Sequence, residues 1–200
     1  MSNNIVEVIE KGNRRAEIFY DDFAENPREA FDNLGIMLCK HKRYNLGDRR
    51  EKFDWEEFDS WYDVKEFIRM EYKAEVILPL YLYDHSGITI STKPFQCGWD
   101  SGQVGFIYID PEMNINNAGK PFSKEQLEED LRAEVELYDM YLRGEVYWYK
   151  ILEKQRPSKE CPCCHEIFDG EEEWVEIDLC SGFYGLNCVR EVVEEVLNEN

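Results

Sequence analysis

Tyr83-Asp84-His85-Ser86-Gly87 and Phe95-Gln96-Cys97-Gly98-Trp99-Asp100-Ser101-Gly102-Gln103 bring an imidazole, a thiol, hydroxyls and carboxylates into two short stretches, among glycines that let backbone approach closely. Such a set suits acid/base or nucleophilic chemistry, with His85 as base, Asp84 or Asp100 as its orienting carboxylate, and Cys97 or Ser101 as nucleophile. It suits equally a ligand pocket made of His41, Asp84, His85, Ser86, Cys97, Trp99, Asp100 and Ser101, with Trp99 as a stacking wall. The plainer alternative is a pair of turns whose Asp, Ser and Gly serve turn geometry. Asp100-Ser101-Gly102 is similar to the nucleophile loop of trypsin-like proteases, but Gln-Val-Gly follows it. Gln96-Cys97-Gly98 likewise departs from the papain pattern.

Cys39-Lys40-His41-Lys42-Arg43-Tyr44-Asn45-Leu46-Gly47-Asp48 is the notable basic patch of the chain. A His beside Lys and Arg could hold a phosphate or a carboxylate. It could also be a solvated strand end paired with the protein's own acids. Cys161-Pro162-Cys163-Cys164-His165 forms a third cluster, with Cys180 and Cys188 downstream. The spacing of Cys161 and Cys164 lets two thiolates meet one tetrahedral ion, and Cys188 falls where a terminal helix should begin. Cys180 or His165 could complete the set, and the expected ligands are Cys161, Cys164, Cys180 and Cys188 around a structural zinc. Free thiols in a small core, or redox chemistry, are the alternatives.

The chain has 200 residues, with 23 Lys and Arg against 43 Asp and Glu, a formal charge of −20. A field of that sign repels phosphate backbones, which argues against binding of free nucleic acid, and it attracts basic protein surfaces. The acids Glu125, Glu128, Glu129, Asp130, Glu134 and Glu136 of one helical stretch are the candidate face for a basic partner, or simply a solvated face. Met1-Ser2-Asn3-Asn4 carries no secretory pattern, no apolar run is membrane-length, and the cysteine count of 7 is odd. The expected compartment is a reducing cytoplasm, with no membrane partner.

Residues 5–10 and 15–20 read as a hairpin around Lys11-Gly12-Asn13. Asn26-Pro27 opens a short helix that Gly35 should stop. A charged stretch, 48–57, leads into a helix over 60–72 with a Val64, Phe67, Ile68, Tyr72 stripe. Strands are expected over 74–83, 88–92 and 104–109, and Pro79 demotes the first toward an edge or a bulge. After a polar linker, 110–121, Ser123 and Gln126 form a capping box before a long helix. That helix carries Leu127, Leu131, Val135, Tyr138 and Leu142 on one face and stops at Gly144. Further strands are expected over 145–152 and around 174–179, with a last helix over 186–197. The class is α+β: an antiparallel-rich sheet with two main helices in residues 1–155, and a small Cys-rich α/β appendage in 156–200.

Asp32-Asn33-Leu34-Gly35-Ile36-Met37 with His41-Lys42-Arg43-Tyr44-Asn45-Leu46-Gly47-Asp48, and Leu80 to Thr89 with Trp99-Asp100-Ser101-Gly102-Gln103-Val104-Gly105, resemble a group of uncharacterised proteins of bacteriophages and other mobile elements. Ser181-Gly182-Phe183-Tyr184-Gly185 resembles it too. The resemblance spans roughly residues 25 to 110, and since the group has no established activity it carries no catalytic role over to these residues. By analogy with small acidic accessory proteins of such genomes, it implies an inhibitor of a bacterial defence system, such as a CRISPR or restriction nuclease. That inhibitor would act in the bacterial host cytoplasm by binding a basic protein or nucleoprotein, or by sequestering a signal molecule. The alternative is a small-molecule-binding or hydrolytic protein using the polar pocket.

Overall fold

The computed structural model describes residues 5–48, 53–113 and 121–198. Of the charged stretch expected at 48–57, residues 49–52 lie outside the described part, as do residues 114–120 of the linker and both chain termini, 1–4 and 199–200. Helices and antiparallel sheets mix as the sequence predicts, in two compact units: residues 25–143, and the two chain ends 1–24 and 144–200.

The first unit is built on the sheet β3-β6-β4-β5, formed by β3 (Gly35–Cys39), β4 (Ile77–Asp84), β5 (Ile88–Ser91) and β6 (Ser101–Ile109). Side chains alternate between the faces of a strand, and both faces here are apolar. Met37, Leu80, Leu82, Val104, Ile107 and Ile109 meet Leu127, Leu131, Val135 and Tyr138 of α3 (Lys124–Leu142). Leu38, Phe106 and Tyr108 turn the other way, onto Val64 and Ile68 of α2 (Trp61–Glu71). Helices on both faces exclude water from the sheet, which is why its strands read as nearly continuous apolar runs.

The caps follow the sequence. Asn26 accepts from the Arg28 N–H ahead of α1 (Pro27–Ala30), Ser60 caps α2, and Ser123 accepts from the Gln126 N–H. The box at α3 is one-sided, since the Gln126 amide reaches forward to Asp130 rather than back to Ser123. Gly35 does not stop α1, which ends at Phe31; it opens β3 instead. A side chain there would force the core to shift, because a Cβ on Gly35 would lie 2.3 Å from Leu131 Cδ2. Pro79 sits in a strand with neighbours on both sides, yet β5 pairs only with Tyr81–Asp84, so Pro79 precedes that ladder. A register shift between Leu80 and Tyr81 follows it, the bulge that proline forecasts.

The second unit is the sheet β1-β2-β7-β10, from β1 (Ile5–Lys11), β2 (Arg14–Tyr20), β7 (Val146–Gln155) and β10 (Glu173–Tyr184). Gly12, at φ 62°, makes the β1–β2 turn. Ala16, Ile18, Tyr147, Tyr149 and Ile151 pack on Val189, Val193 and Leu197 of α4 (Leu186–Asn198). The expected boundary at 155/156 is not where the chain divides. β7 and β10 pair from Gln155↔Glu173 to Val146↔Tyr184, so residues 156–200 supply half of a ladder and are not a separate module. A two-stranded hairpin, β8 (Ser158–Glu160) and β9 (Ile167–Asp169), is inserted between them. Among the described residues, no helix is long and apolar enough to cross a membrane.

Candidate functional site

β3 runs out into the basic loop 40–43, and one bond at each end of the segment 40–48 ties it down, the first to β6 and the second back to β3. The Lys40 N–H donates to Val104 O at 2.7 Å, and the Asp48 N–H donates to Met37 O at 2.8 Å. Gly47 sits between them at φ 67°, its N–H donating to the Tyr138 hydroxyl at 3.1 Å; an L-residue there would be strained and its Cβ would lie 2.6 Å from Met37 O. Beneath the loop, Arg28 is almost fully buried and donates to Asp48 at 2.8 and 2.9 Å, to Glu134 at 2.6 Å and to Gly35 O at 2.7 Å. Its pKa is raised: burial opposes the charge, but the Asp48 and Glu134 carboxylates outweigh that cost.

β6 lies between β3 and β4, so this loop faces the end of β4 and the start of β6 across an open groove of about 720 Å³. Lys40, His41, Lys42 and Arg43 line one side; Asp84, Trp99, Asp100, Ser101, Gly102 and Gln103 line the other, with Leu82 and Val104 at the floor. Arg43 forms a close ion pair with Asp84, which also accepts from the Tyr44 hydroxyl at 3.2 Å. His41 stacks on Tyr44 at 5.0 Å, and the Arg43 guanidinium lies 5.4 Å from the same ring. Lys42 has no carboxylate partner among the described residues. Trp99 is 97% exposed, a ring offered to solvent beside these cations.

Of the expected pocket residues, His41, Asp84, Trp99, Asp100 and Ser101 line this groove, whereas His85, Ser86 and Cys97 do not. Ser86, at φ 58°, makes the β4–β5 turn, in which the His85 N–H donates to Gly87 O at 3.0 Å. The Asp100 carboxylate is shared by His85 Nδ1 at 3.1 Å and Cys97 Sγ at 4.0 Å. A thiol–imidazole relay needs the imidazole between thiol and carboxylate. Here the carboxylate stands in the middle, so the arrangement ties two loops together and does not assemble a nucleophile. The Ser101 hydroxyl donates to Cys97 O and closes the same loop.

No protein-family model matches the chain, and neither a curated protein nor a solved structure matches it significantly. The chemistry therefore rests on these residues alone.

The acids of α3 divide. Glu125, Glu129 and Glu136 are exposed, and Glu128 pairs with Arg132 at 3.7 Å. Asp130, partly exposed, accepts from Gln126. Glu134 points inward: besides Arg28 it accepts from the Leu34 and Gly35 N–H groups at 2.6 and 3.0 Å, capping the start of β3. It is a structural carboxylate, which the 3.6-residue pattern around it did not reveal.

The cysteines also differ from the expected set. Cys161, Cys163 and Cys164 bring their sulfurs within 4.8 Å of one another, a cluster that could hold a metal ion, while Cys180 and Cys188 are outside it. Cys161 is pushed down to about 6 by hydrogen bonding from the Cys163 thiol and from the backbone N–H groups of Cys163 and Cys164; the Cys163 thiol moves up in return. Cys163 was the missed member, since adjacent cysteines are a less regular signal than the CxxC spacing beside them.

Proposed function

We propose that this protein is a binding protein whose groove captures a planar anion of the nucleotide class. The observation that carries this reading is the juxtaposition of the basic loop 40–43 with the exposed Trp99 ring across one open groove. A ring stacks on Trp99 while phosphate oxygens meet Lys42 and His41. Asp84 opposes an anion little, because Arg43 and Tyr44 already engage it. The stretches that resemble bacteriophage and mobile-element proteins run through both walls, and by that analogy the groove would sequester a signal molecule of a bacterial host's defence. Titration of the tryptophan fluorescence with mononucleotides and cyclic dinucleotides tests this. Saturable quenching that is lost in both Trp99→Ala and Lys42→Glu is expected; no saturable change with any of them ends the reading.

A second reading keeps a specific observation of its own. Glu125, Glu129 and Glu136 face outward on a chain of charge −20, which supports inhibition of a basic defence nuclease or nucleoprotein by protein–protein binding in the bacterial cytoplasm. Pull-down from bacterial lysate discriminates. Charge reversal by Glu128→Lys with Glu129→Lys abolishes a protein partner in this case, and Lys42→Glu leaves it bound.

The cofactor belonging to either reading is zinc at the 161–166 turn, where an ion would tie a short hairpin together. Elemental analysis of protein purified without chelator checks it.

A further inference from the structure

The turn between β8 and β9 is short and closed. The Cys161 N–H donates to Glu166 O and the His165 N–H to Cys161 O, both at 2.9 Å, and His165 takes the left-handed conformation at φ 58°. Every donor in the cluster comes from this one turn. Cys161 and Cys163 bring their sulfurs to 3.0 Å, and the thiols of Cys163 and Cys164 are exposed. At Zn–S bonds near 2.3 Å, tetrahedral sulfurs stand about 3.8 Å apart, a spacing that small side-chain rotations reach from here.

A closed structural site needs a fourth protein donor placed against all three sulfurs, and among the described residues none joins the group; Glu166 Oε2 touches Cys164 Sγ at 3.7 Å but is not part of it. Cys180 and Cys188 lie outside the group. His165 is likewise outside the group; its Nδ1 is bonded to Glu160 at 2.5 Å, which orients the ring and leaves Nε2 unused. Thiolates select soft d10 ions over magnesium or calcium. We propose that the β8–β9 turn binds one thiophilic d10 ion, zinc or copper(I), through Cys161, Cys163 and Cys164, and leaves a coordination position open to an outside donor. This rests on the cofactor reading above but changes its character, from a closed structural ion to an exchangeable one that a small thiol, an imidazole or a partner's side chain can reach.

The full-length reduced protein, loaded with cobalt(II) as the spectroscopic substitute for zinc, tests this. One equivalent with a thiolate charge-transfer band is expected. Cys163→Ser should lower affinity by more than about a hundredfold, since outer-shell losses alone cost roughly 10–100-fold. Cys180→Ser and Cys188→Ser should leave affinity and band intensity unchanged. Added imidazole should shift the cobalt d–d bands as it enters the open position. Competition with a copper(I)-specific chelator then identifies which of the two ions the site prefers. Retained binding in Cys163→Ser together with loss in Cys180→Ser or Cys188→Ser would overturn the proposal and keep zinc as a closed, four-thiol ion. Absence of bound zinc, cobalt or copper(I) in the unaltered protein would end both.

Discussion

Arg28, whose side chain is only 1% exposed, donates to Glu134 of the long helix at 2.6 Å, and this contact joins the foundation of the basic loop to α3. The same guanidinium holds Asp48, whose Oδ2 accepts from the Met37 N–H at 2.8 Å. Removing one member of such a buried set leaves uncompensated charge. Arg28→Met is therefore expected to cost about 3 kcal/mol or more. Glu134→Gln keeps the shape and some of the hydrogen bonds, and should cost about 1–2 kcal/mol. Urea unfolding followed by fluorescence measures both. Equal, negligible shifts in midpoint would show that the cluster is not holding the loop.

That cluster marks where local sequence reasoning stops. The Asn26, Ser60 and Ser123 caps, the 5–20 hairpin and the apolar stripe of α3 were legible because each is settled within a few residues. The role of Glu134 was not, because its partners lie 99 to 106 residues away and its neighbours on the helix are also acids. Nor was the β2–β7 ladder, which joins residues 14–20 to 147–153 and puts both chain ends in one unit. The groove was half legible. His41 and the Asp84–Ser101 cluster were named, but Lys40, Lys42 and Arg43 read as a separate patch until β6 placed the two stretches side by side.

Gly105 should tolerate no side chain. It pairs with Cys39 on one side and Leu80 on the other, and a Cβ there would lie 1.8 Å from the backbone oxygen of Leu38. Backbone cannot yield as a flexible side chain would, so β3 would have to leave β6. Gly105→Ala is expected to destabilise by about 2–3 kcal/mol, at the upper end for overpacking, and to disturb the groove as well. Gly102→Ala, in the same strand, meets open space and serves as the control. Thermal melting of the two variants compares them directly.

Stability should fall in alkali. Cys39 is partly exposed as a residue, but its thiol packs against the core beside Asp48 and is pushed up to about 12 from 9.0, chiefly by burial. Burial likewise raises the Tyr138 hydroxyl from 10.0 to about 12. The unfolded chain releases these protons first, so between pH 9 and 12 the folded state holds more protons. The stabilisation is complete below pH 9 and is lost as pH rises through 12. Cys39→Ala should make the decline shallower, read as the slope of unfolding free energy against pH. At pH 8 iodoacetamide should modify Cys180 and Cys188, which are exposed, well before Cys39.

The Arg43–Asp84 pair offers the sharpest reading of the groove, because the two residues have opposite effects on an anion. Arg43 is 66% exposed and Asp84 only 17%, so the carboxylate sits deeper and restrains a cation that could otherwise swing toward a ligand. Asp84→Asn removes the repelling charge and frees Arg43. Anion affinity should then rise by about two- to fivefold, the scale set by an exposed pair. Arg43→Met has the reverse effect: it exposes the negative field of Asp84 and weakens binding. Added salt should shrink both changes, since the groove is open to solvent. The measurement is the nucleotide titration repeated on the two variants at low and moderate ionic strength. If Asp84→Asn weakened binding instead, Asp84 would be a direct ligand contact, accepting from a base or sugar donor, and the ring rather than the phosphate would lie at that end of the groove.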